Sequence, residues 1–386
     1  MTMSSAGSAN PDSSAAFTQL KEAFSFLDHE REDVRKMAVQ GIASQSKEDK
    51  NLWAFMSSAE YGPAAIDALL KHFHPGSIRL IGNILTILIN SAADGACAEM
   101  LVTRKIVRKS MLFLDEMEHS THPEPFKRSV QEMVLMLLNN LTASHISAVD
   151  DLLQKDDDAM RGFYLGKLHG YYVAMSPGVS GGSPTETPTD QAAPPRETRD
   201  CRRWILSILL NLTRSADGQE LLLEDEDWRG AFQECLRASG FPSHRRIVAE
   251  CFRNCAGAPR PLYGLLLQAD CVRAAVEHLT SGKERDPAVQ MSHAEVLAGM
   301  LESVEGVAQL EGVNAKKLLS AAVSTSRAAV EAGEESAGSV PSPPQPLPGK
   351  GGCLAPNVCD FLEKHVLVYL DDIIDAYLPP NCDDVD

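Results

Sequence analysis

The sequence predicts an all-α fold, an α-solenoid in which helical repeats stack on one another. The first observation is composition: apolar residues make up 44% of the 386 residues, but aromatic residues only 6%. Leu, Ala, Met and Ile dominate the apolar set, and these residues suit helices better than sheets. The second is periodicity, since apolar residues recur at three- and four-residue spacing from Phe17 onward. The third is an internal repeat, the feature to look for first in a long helical chain.

The repeat is an apolar run that ends in asparagine. It occurs four times, at residues 84–90, 134–140, 205–211 and 248–254. Successive asparagines are 50, 71 and 43 residues apart, and removing the 23 residues of 176–198 reduces the middle interval to 48. A second apolar cluster follows each asparagine after roughly ten residues. This period is typical of armadillo or HEAT units of two or three helices, so the predicted fold is an armadillo/HEAT-like α-solenoid.

Composition also divides the chain. Residues 1–16 are short, polar and small, which predicts a disordered amino terminus. Residues 17–332 form the predicted repeat domain, interrupted at 176–198 by a Ser-, Pro- and Gly-rich segment that we interpret as a flexible insertion. Residues 333–352 have a similar composition and are predicted to be a disordered linker, and residues 353–386 are predicted to be a carboxy-terminal helix with an acidic tail.

The net charge indicates which classes of partner the protein can bind, and the cysteines indicate its cellular compartment. The formal net charge is −17, with 53 acidic against 36 basic residues, which disfavours binding to nucleic acid or anionic membranes. No apolar run reaches the roughly 18 residues that a membrane span needs, and the first residues lack the pattern of a secretory signal. The nine cysteines stand singly in apolar helical stretches, as expected in a reducing compartment. A cytoplasmic protein is therefore expected.

Patterns for catalysis or metal binding are weak. Cys251 and Cys255 are the closest cysteine pair, but their spacing differs from the Cys-x-x-Cys of zinc and redox sites, so we interpret them as core residues. His119 and His122 stand beside Glu118, in a polar turn that favours a solvated loop over a metal site. The sequence has no phosphate-binding loop, His-Glu-x-x-His motif or nucleophile elbow. We expect no catalytic residue, no metal and no cofactor.

A polar stripe accompanies the asparagines. Residues four and seven positions before an asparagine share its helix face, which places Trp204 and Ser207 beside Asn211. The predicted partner-binding residues are Asn90, Asn140, Trp204, Ser207, Asn211, Arg246, Glu250 and Asn254. An asparagine amide can bond the donors and acceptors of an extended peptide backbone, and the indole of Trp204 can stack against a side chain of the peptide. In the alternative interpretation, each asparagine only caps its helix or bonds the neighbouring loop.

Several segments resemble the HGH family of armadillo-like proteins. They are Leu210-Asn211-Leu212-Thr213, Gly218 to Leu223, Arg246-Ile247-Val248 through Arg253-Asn254-Cys255, Phe26 to Arg35, and Asp286 to Leu301. The resemblance covers about residues 17–330. It implies a cytosolic chaperone or adaptor that helps to fold translation elongation factor 2 alongside the cytosolic chaperonin.

The leading hypothesis is therefore an adaptor that holds a segment of an elongation factor 2 client in a solenoid groove. The main alternative is an armadillo-type scaffold or cargo-binding protein with another client. The acidic residues of the tail offer a second route to a basic client, although solvated end charge is the favoured explanation for them. An enzyme that uses His or Cys chemistry is the least favoured hypothesis.

Overall fold

The computed structural model describes residues 11–176, 200–237, 241–336 and 353–370, of which 11–14 and 332–336 are described as backbone only. These ranges contain twenty α-helices and no β-strand, which confirms the predicted all-α class. The helices divide between two compact units, an amino-terminal unit of residues 1–212 and a carboxy-terminal unit of residues 213–386.

The amino-terminal unit contains eleven α-helices and a short 3₁₀ turn at Phe26–Asp28. The helices are α1 (Pro11–Ser25), α2 (Glu32–Gln45), α3 (Lys50–Ser57), α4 (Gly62–Leu70), α5 (Ile81–Ser91), α6 (Gly95–Thr103), α7 (Ile106–Glu118), α8 (Glu124–Ser144), α9 (Ile146–Leu153), α10 (Phe163–Ala174) and α11 (Arg202–Leu212).

The carboxy-terminal unit contains nine α-helices within its described residues. They are α12 (Ala216–Glu224), α13 (Glu226–Arg237), α14 (Pro242–Ala256), α15 (Tyr263–Gln268), α16 (Cys271–Thr280), α17 (Pro287–Met300), α18 (Val304–Gly312), α19 (Ala315–Ser336) and α20 (Pro356–Leu362). A π-helical turn, Glu363–Leu367, continues α20.

From α3 onward the helices come in threes. A short first helix and a second helix precede a third helix, and in four of these triplets the third helix carries the repeated asparagine. In the amino-terminal unit the third helices α5, α8 and α11 pack in sequence, and α2 packs against α5. In the carboxy-terminal unit α14 packs on α17, and α17 on α20. Because consecutive third helices pack on each other within each unit, burial continues there from repeat to repeat, as in a solenoid.

Local capping chemistry fixes where two of the first helices, α6 and α12, begin. In both, the cap stands four residues after the repeat asparagine: Asp94 accepts a hydrogen bond from the Cys97 N–H at 3.0 Å, and Ser215 accepts one from the Gly218 N–H at 3.1 Å. Such caps satisfy N–H groups that the helix itself leaves unpaired. The second apolar clusters of the sequence lie in these first helices, where Leu101, Leu152 and Leu222 are buried.

Helix boundaries differ from the predicted ones at both ends of the repeat domain. Helix α1 begins at Pro11, before the predicted boundary at Phe17, and proline is well suited to the first position of a helix. Helix α19 runs to Ser336, beyond the predicted end of the domain at 332. The predicted insertion (apart from Ser176), most of the predicted linker and the predicted acidic tail lie outside the described residues.

The residues that flank the insertion are in contact. The Arg202 guanidinium donates a hydrogen bond to the Ser176 hydroxyl at 3.2 Å and lies 5.4 Å from the centre of the Tyr172 ring. Arg202 also forms a largely buried ion pair with Asp200 at 2.7 Å. The helix before the insertion therefore contacts the helix after it directly.

We predict that replacing residues 177–198 with a short Gly-Ser linker leaves thermal stability nearly unchanged. The segment offers almost no apolar surface to bury, and its flanking residues already meet. Differential scanning calorimetry should give a melting temperature within about 3 °C of the parent protein. A much larger decrease would mean that the segment packs against the helices.

A pair of stacked histidines lies in the core of the carboxy-terminal unit. The rings of His278 and His293 are 4.8 Å apart and nearly parallel. His293 is 1% exposed, and its Nε2 has no hydrogen-bond partner among the described residues. Burial lowers the pKa of His293 to about 3, with a smaller contribution from the neighbouring His278. The imidazole is therefore neutral in the folded protein at neutral and mildly acidic pH.

This burial predicts a loss of stability in mild acid. The unfolded chain protonates His293 near pH 6.5 but the folded chain does not, so lowering the pH below about 6.5 favours unfolding. Urea denaturation should show a decrease of about 1 kcal/mol between pH 7.5 and pH 5.5 that the His293→Asn variant lacks. An equal decrease in both proteins would assign the effect to other groups.

Candidate functional site

The amide group of each repeat asparagine bonds a residue in, or directly after, an earlier helix. The Asn90 amide donates to the Ser46 hydroxyl at 2.8 Å, which joins α5 to the first residue after α2. The Asn140 amide donates to the Ile89 carbonyl at 3.0 Å, which joins α8 to α5. The bond to Ser46, which lies in a turn, agrees with the alternative in which an asparagine bonds a loop, whereas the bond to Ile89 reaches into a helix.

The two Asn-Leu-Thr tripeptides reveal the rule behind these contacts. The Asn211 amide donates to Thr142 Oγ1 at 3.0 Å, and the Asn254 amide donates to Thr213 Oγ1 at 3.0 Å. Each threonine stands two residues after the repeat asparagine of its own tripeptide. One Asn-Leu-Thr tripeptide can therefore donate a hydrogen bond from its asparagine to an earlier threonine and accept one at its own threonine from a later asparagine. Thr142 also donates to the Leu138 carbonyl of its own helix at 2.9 Å. The motif is therefore a structural connector between repeats.

The connector leaves part of each amide unused. The side-chain carbonyl oxygens of Asn90, Asn211 and Asn254 accept no hydrogen bond from any described residue, and all three side chains are half-buried. The Asn140 oxygen accepts from the Asn139 amide at 3.3 Å. Because the nitrogen of each amide is engaged by the neighbouring repeat, what the asparagines can offer a partner is mainly an acceptor.

Trp204 stands two turns before Asn211 on α11 and is half-buried. Its indole N–H donates to a carboxylate oxygen of Glu132 on α8 at 3.2 Å. The exposed Arg203 places its guanidinium 4.6 Å from the centre of the indole ring. Ser207, between Trp204 and Asn211, is also half-buried. The result is a partly open aromatic face with a carboxylate at one edge and a cation over it.

The eight predicted residues divide between the two units. Asn90, Asn140, Trp204, Ser207 and Asn211 all belong to third helices of the amino-terminal unit. The remaining residues, Arg246, Glu250 and Asn254, follow one another along α14 in the carboxy-terminal unit. Arg246 is more than half exposed and pairs with Glu250 at 3.2 Å. Each unit thus carries its own polar stripe on its third helices.

On α17 the repeated asparagine is replaced by a glycine, a substitution that the sequence patterns did not reveal. Gly299 occupies the equivalent position, four residues before the capping Ser303, as Asn211 stands four residues before Ser215. A Cβ atom at Gly299 would lie 2.7 Å from the Ala256 carbonyl oxygen. The close contact between α14 and α17 therefore excludes a side chain there, and the recurring Ser-x-x-Gly signal could have located the position.

The cysteine pair is part of the core. Cys251 is 1% exposed and Cys255 3% exposed. Burial raises the pKa of Cys255 to about 12 and raises that of Cys251 well above its usual value. A thiol with such a pKa stays protonated at neutral pH, and the thiolate is the form that attacks substrates or binds metals. This geometry agrees with the structural interpretation of both residues.

The structure does not bring the predicted histidine pair together. His122 is hydrogen-bonded to the Pro75 carbonyl at 3.2 Å, whereas His119 lies beside Asp115 and Glu118 within reach of a shared cation. Asp115 is already engaged by Lys167 at 2.7 Å, and Glu118 and His119 are exposed. Exposed acidic clusters of this kind are common on protein surfaces, so the cluster alone does not indicate a metal site.

Comparisons with known proteins identify the fold. No family model matches the sequence, and no curated protein matches it. Among solved structures, the chain is similar to a designed armadillo repeat protein at 14% identity and a TM-score of 0.53, over 72% of this chain and 99% of that one. It is similar to a designed armadillo repeat protein in complex with the peptide (KR)4 at 13% identity and a TM-score of 0.53, over 73% and 99%.

A third similar structure is a computationally designed armadillo repeat protein for modular peptide recognition, at 14% identity and a TM-score of 0.53, over 72% of this chain and 99% of that one. These similarities confirm the armadillo-like fold predicted from the repeat. They give no support to the HGH family in particular. Separately, none of the helices in the described ranges is long and apolar enough to span a bilayer.

The hydrogen bond from Asn211 to Thr142 should contribute to the free energy of unfolding by coupling one repeat to the next. Replacing Thr142 with Val keeps the shape of the side chain but removes the acceptor for Asn211, and it should lower the free energy of unfolding by about 1–2 kcal/mol. Chemical denaturation measures this change. Thr86→Val is the matched control, because Thr86 is half-buried on the third helix α5 and bonds only its own helix, at the Gly82 carbonyl. Equal effects of the two substitutions would mean that the inter-repeat bond adds nothing.

Proposed function

We propose that this chain is a non-enzymatic, protein-binding adaptor that holds an extended segment of a partner along the third helices of its amino-terminal unit. The observation that supports the proposal most is the combination on α11 of the half-buried indole of Trp204 with the unpaired amide oxygen of Asn211. An extended polypeptide has backbone N–H groups for such acceptors and side chains to lie on an aromatic face.

Charge favours a partner segment with basic side chains. The Glu132 carboxylate lies beside the indole of Trp204, Arg203 already rests on that indole, and the chain carries a net charge of −17. An aromatic face next to a carboxylate attracts guanidinium or ammonium groups. One of the designed armadillo proteins of similar fold is in complex with the peptide (KR)4. A basic segment of the partner would displace Arg203 from the ring.

The identity of the partner rests on the resemblance to the HGH family. On that basis we propose a cytoplasmic chaperone or adaptor whose client is translation elongation factor 2, acting with the cytosolic chaperonin. Bound in this way, the client segment would be protected from other contacts while the rest of the client folds. The second candidate is an armadillo-type scaffold or cargo-binding protein with a different basic client, which the same helix surface would serve equally well.

Affinity capture of the full chain from cell extract, with mass spectrometry, separates these two candidates. Recovery of elongation factor 2 and chaperonin subunits supports the first, and recovery of another client in their place supports the second. Purified elongation factor 2 should then bind the chain directly in a titration. Absence of any protein bound in proportion to the bait would contradict the proposal of an adaptor.

Substitution of Trp204 tests the location of the site. Trp204→Ala should weaken binding of the captured client by about 1–3 kcal/mol, as for aromatic anchors at other interfaces. Trp53→Ala is the matched control, because Trp53 is also half-buried and its indole N–H is also bonded, but it lies on the first helix α3. Unchanged affinity for Trp204→Ala, or an equal loss in both variants, would place the binding surface elsewhere.

A further inference from the structure

Two adjoining cavities open along α18 in the carboxy-terminal unit. The first, of about 480 Å³, lies between the end of α18, the start of α19 and Leu370. The second, of about 420 Å³, lies against the start of α18 and the turn before it, and Glu311 lines both. We call the two cavities together the α18 surface. None of the residues proposed to bind the client segment belongs to it.

The α18 surface is open because the series of first helices ends there. In the carboxy-terminal unit α12 packs on α15 and α15 on α18, but no described first helix follows α18. Apolar side chains are left uncovered as a result. Ala308 is exposed, Val307 is half-buried, and Val304 is 69% exposed, the highest value of any large apolar residue in the described ranges. A solenoid normally covers such a terminal face with a capping segment.

The chain continues directly from this surface. Leu370, the last described residue, is 2% exposed and lines the first cavity. Buried residues recur every four positions along α20 and the turns after it, at 358, 362, 366 and 370. Positions three, four and seven after Leu370 share its helix face, and they hold Ile373, Ile374 and Tyr377. The sequence therefore extends an apolar stripe by two turns beyond the residue that lines the open surface.

We infer that residues 371–378 of this chain cover the α18 surface as a short amphipathic helix and so close the end of the solenoid. The proline at 379 limits the helix to this length. Because the segment is joined to Leu370, its effective concentration at the surface is on the order of 1 mM. A second copy of the chain is a poorer occupant, since two molecules with a net charge of −17 repel each other.

Charge complementarity favours the same occupant. Lys316 and Lys317 line the first cavity, where Glu311 is the single acid among the described lining residues. Lys317 is exposed and forms no ion pair with any described residue. The acidic residues of the segment fall outside its apolar stripe, within reach of long lysine side chains beside the surface. They are Asp371, Asp372 and Asp375.

Hydrogen–deuterium exchange of the full chain, followed by mass spectrometry, tests this inference. A short helix is unstable by itself in water, so the amides of residues 371–378 resist exchange only if the segment is docked. We expect them to exchange at least about tenfold more slowly than the same amides in a synthetic peptide of residues 371–386. The protection should not depend on protein concentration, because the contact lies within one molecule.

A substitution on α18 locates the contact. Val304→Glu places a carboxylate against the apolar stripe and should lower the protection of residues 371–378 at least about fivefold. Because Val304 is largely exposed, the melting temperature should change little. Ile78→Glu is the matched control, since Ile78 is a large apolar residue that is 50% exposed in the amino-terminal unit. This control should leave the protection unchanged.

Charge exchange tests the lysines. Lys316→Glu combined with Lys317→Glu should lower the protection of residues 371–378 at least about threefold. Adding lysine at the three acidic positions of the segment should restore it. The inference is overturned if residues 371–378 exchange as fast as the free peptide, or if Val304→Glu behaves like Ile78→Glu. Protection that rises with protein concentration would assign the surface to a second copy, and protection that requires an added client would assign it to a partner; either result also overturns the inference.

Discussion

The hydrogen bond from each repeat asparagine to a residue in, or directly after, an earlier helix is the contact on which the architecture depends. Helix–helix packing by apolar side chains is strong but tolerates sliding, because dispersion and burial have little directionality. A bond such as that from Asn211 to Thr142 has a defined length and angle. It therefore fixes the register between successive repeats, while the leucines and isoleucines around it supply most of the stabilisation.

The same bond determines what the surface can do. An asparagine amide has two donor hydrogens and one acceptor oxygen, and the connection between repeats uses the nitrogen side. Under the proposed function, the oxygens that remain would select for a partner with donors, such as backbone N–H groups or basic side chains. Glu132, held beside Trp204 by the indole N–H, and the acidic composition of the chain would act in the same direction. Structural and recognition roles would then coexist in one side chain.

Burial keeps three reactive side chains away from solvent. Cys251 and Cys255 are enclosed and protonated, and His293 is neutral in the core. The polar stripes on the third helices present hydrogen-bonding groups rather than nucleophiles, which suits the proposed recognition of a partner.

The sequence alone determined the helical class, the repeat period and the third helices, because these depend on local periodicity and on a motif that recurs every 43 to 50 residues. It also placed Trp204, Ser207 and Asn211 on one face of a single helix, since helix geometry fixes that relation. Only the tertiary structure decided where each amide points, because its partners Ser46, Thr142 and Thr213 lie 41 to 69 residues away in the chain. No spacing rule in the sequence connects residues that only the packing of separate helices brings together.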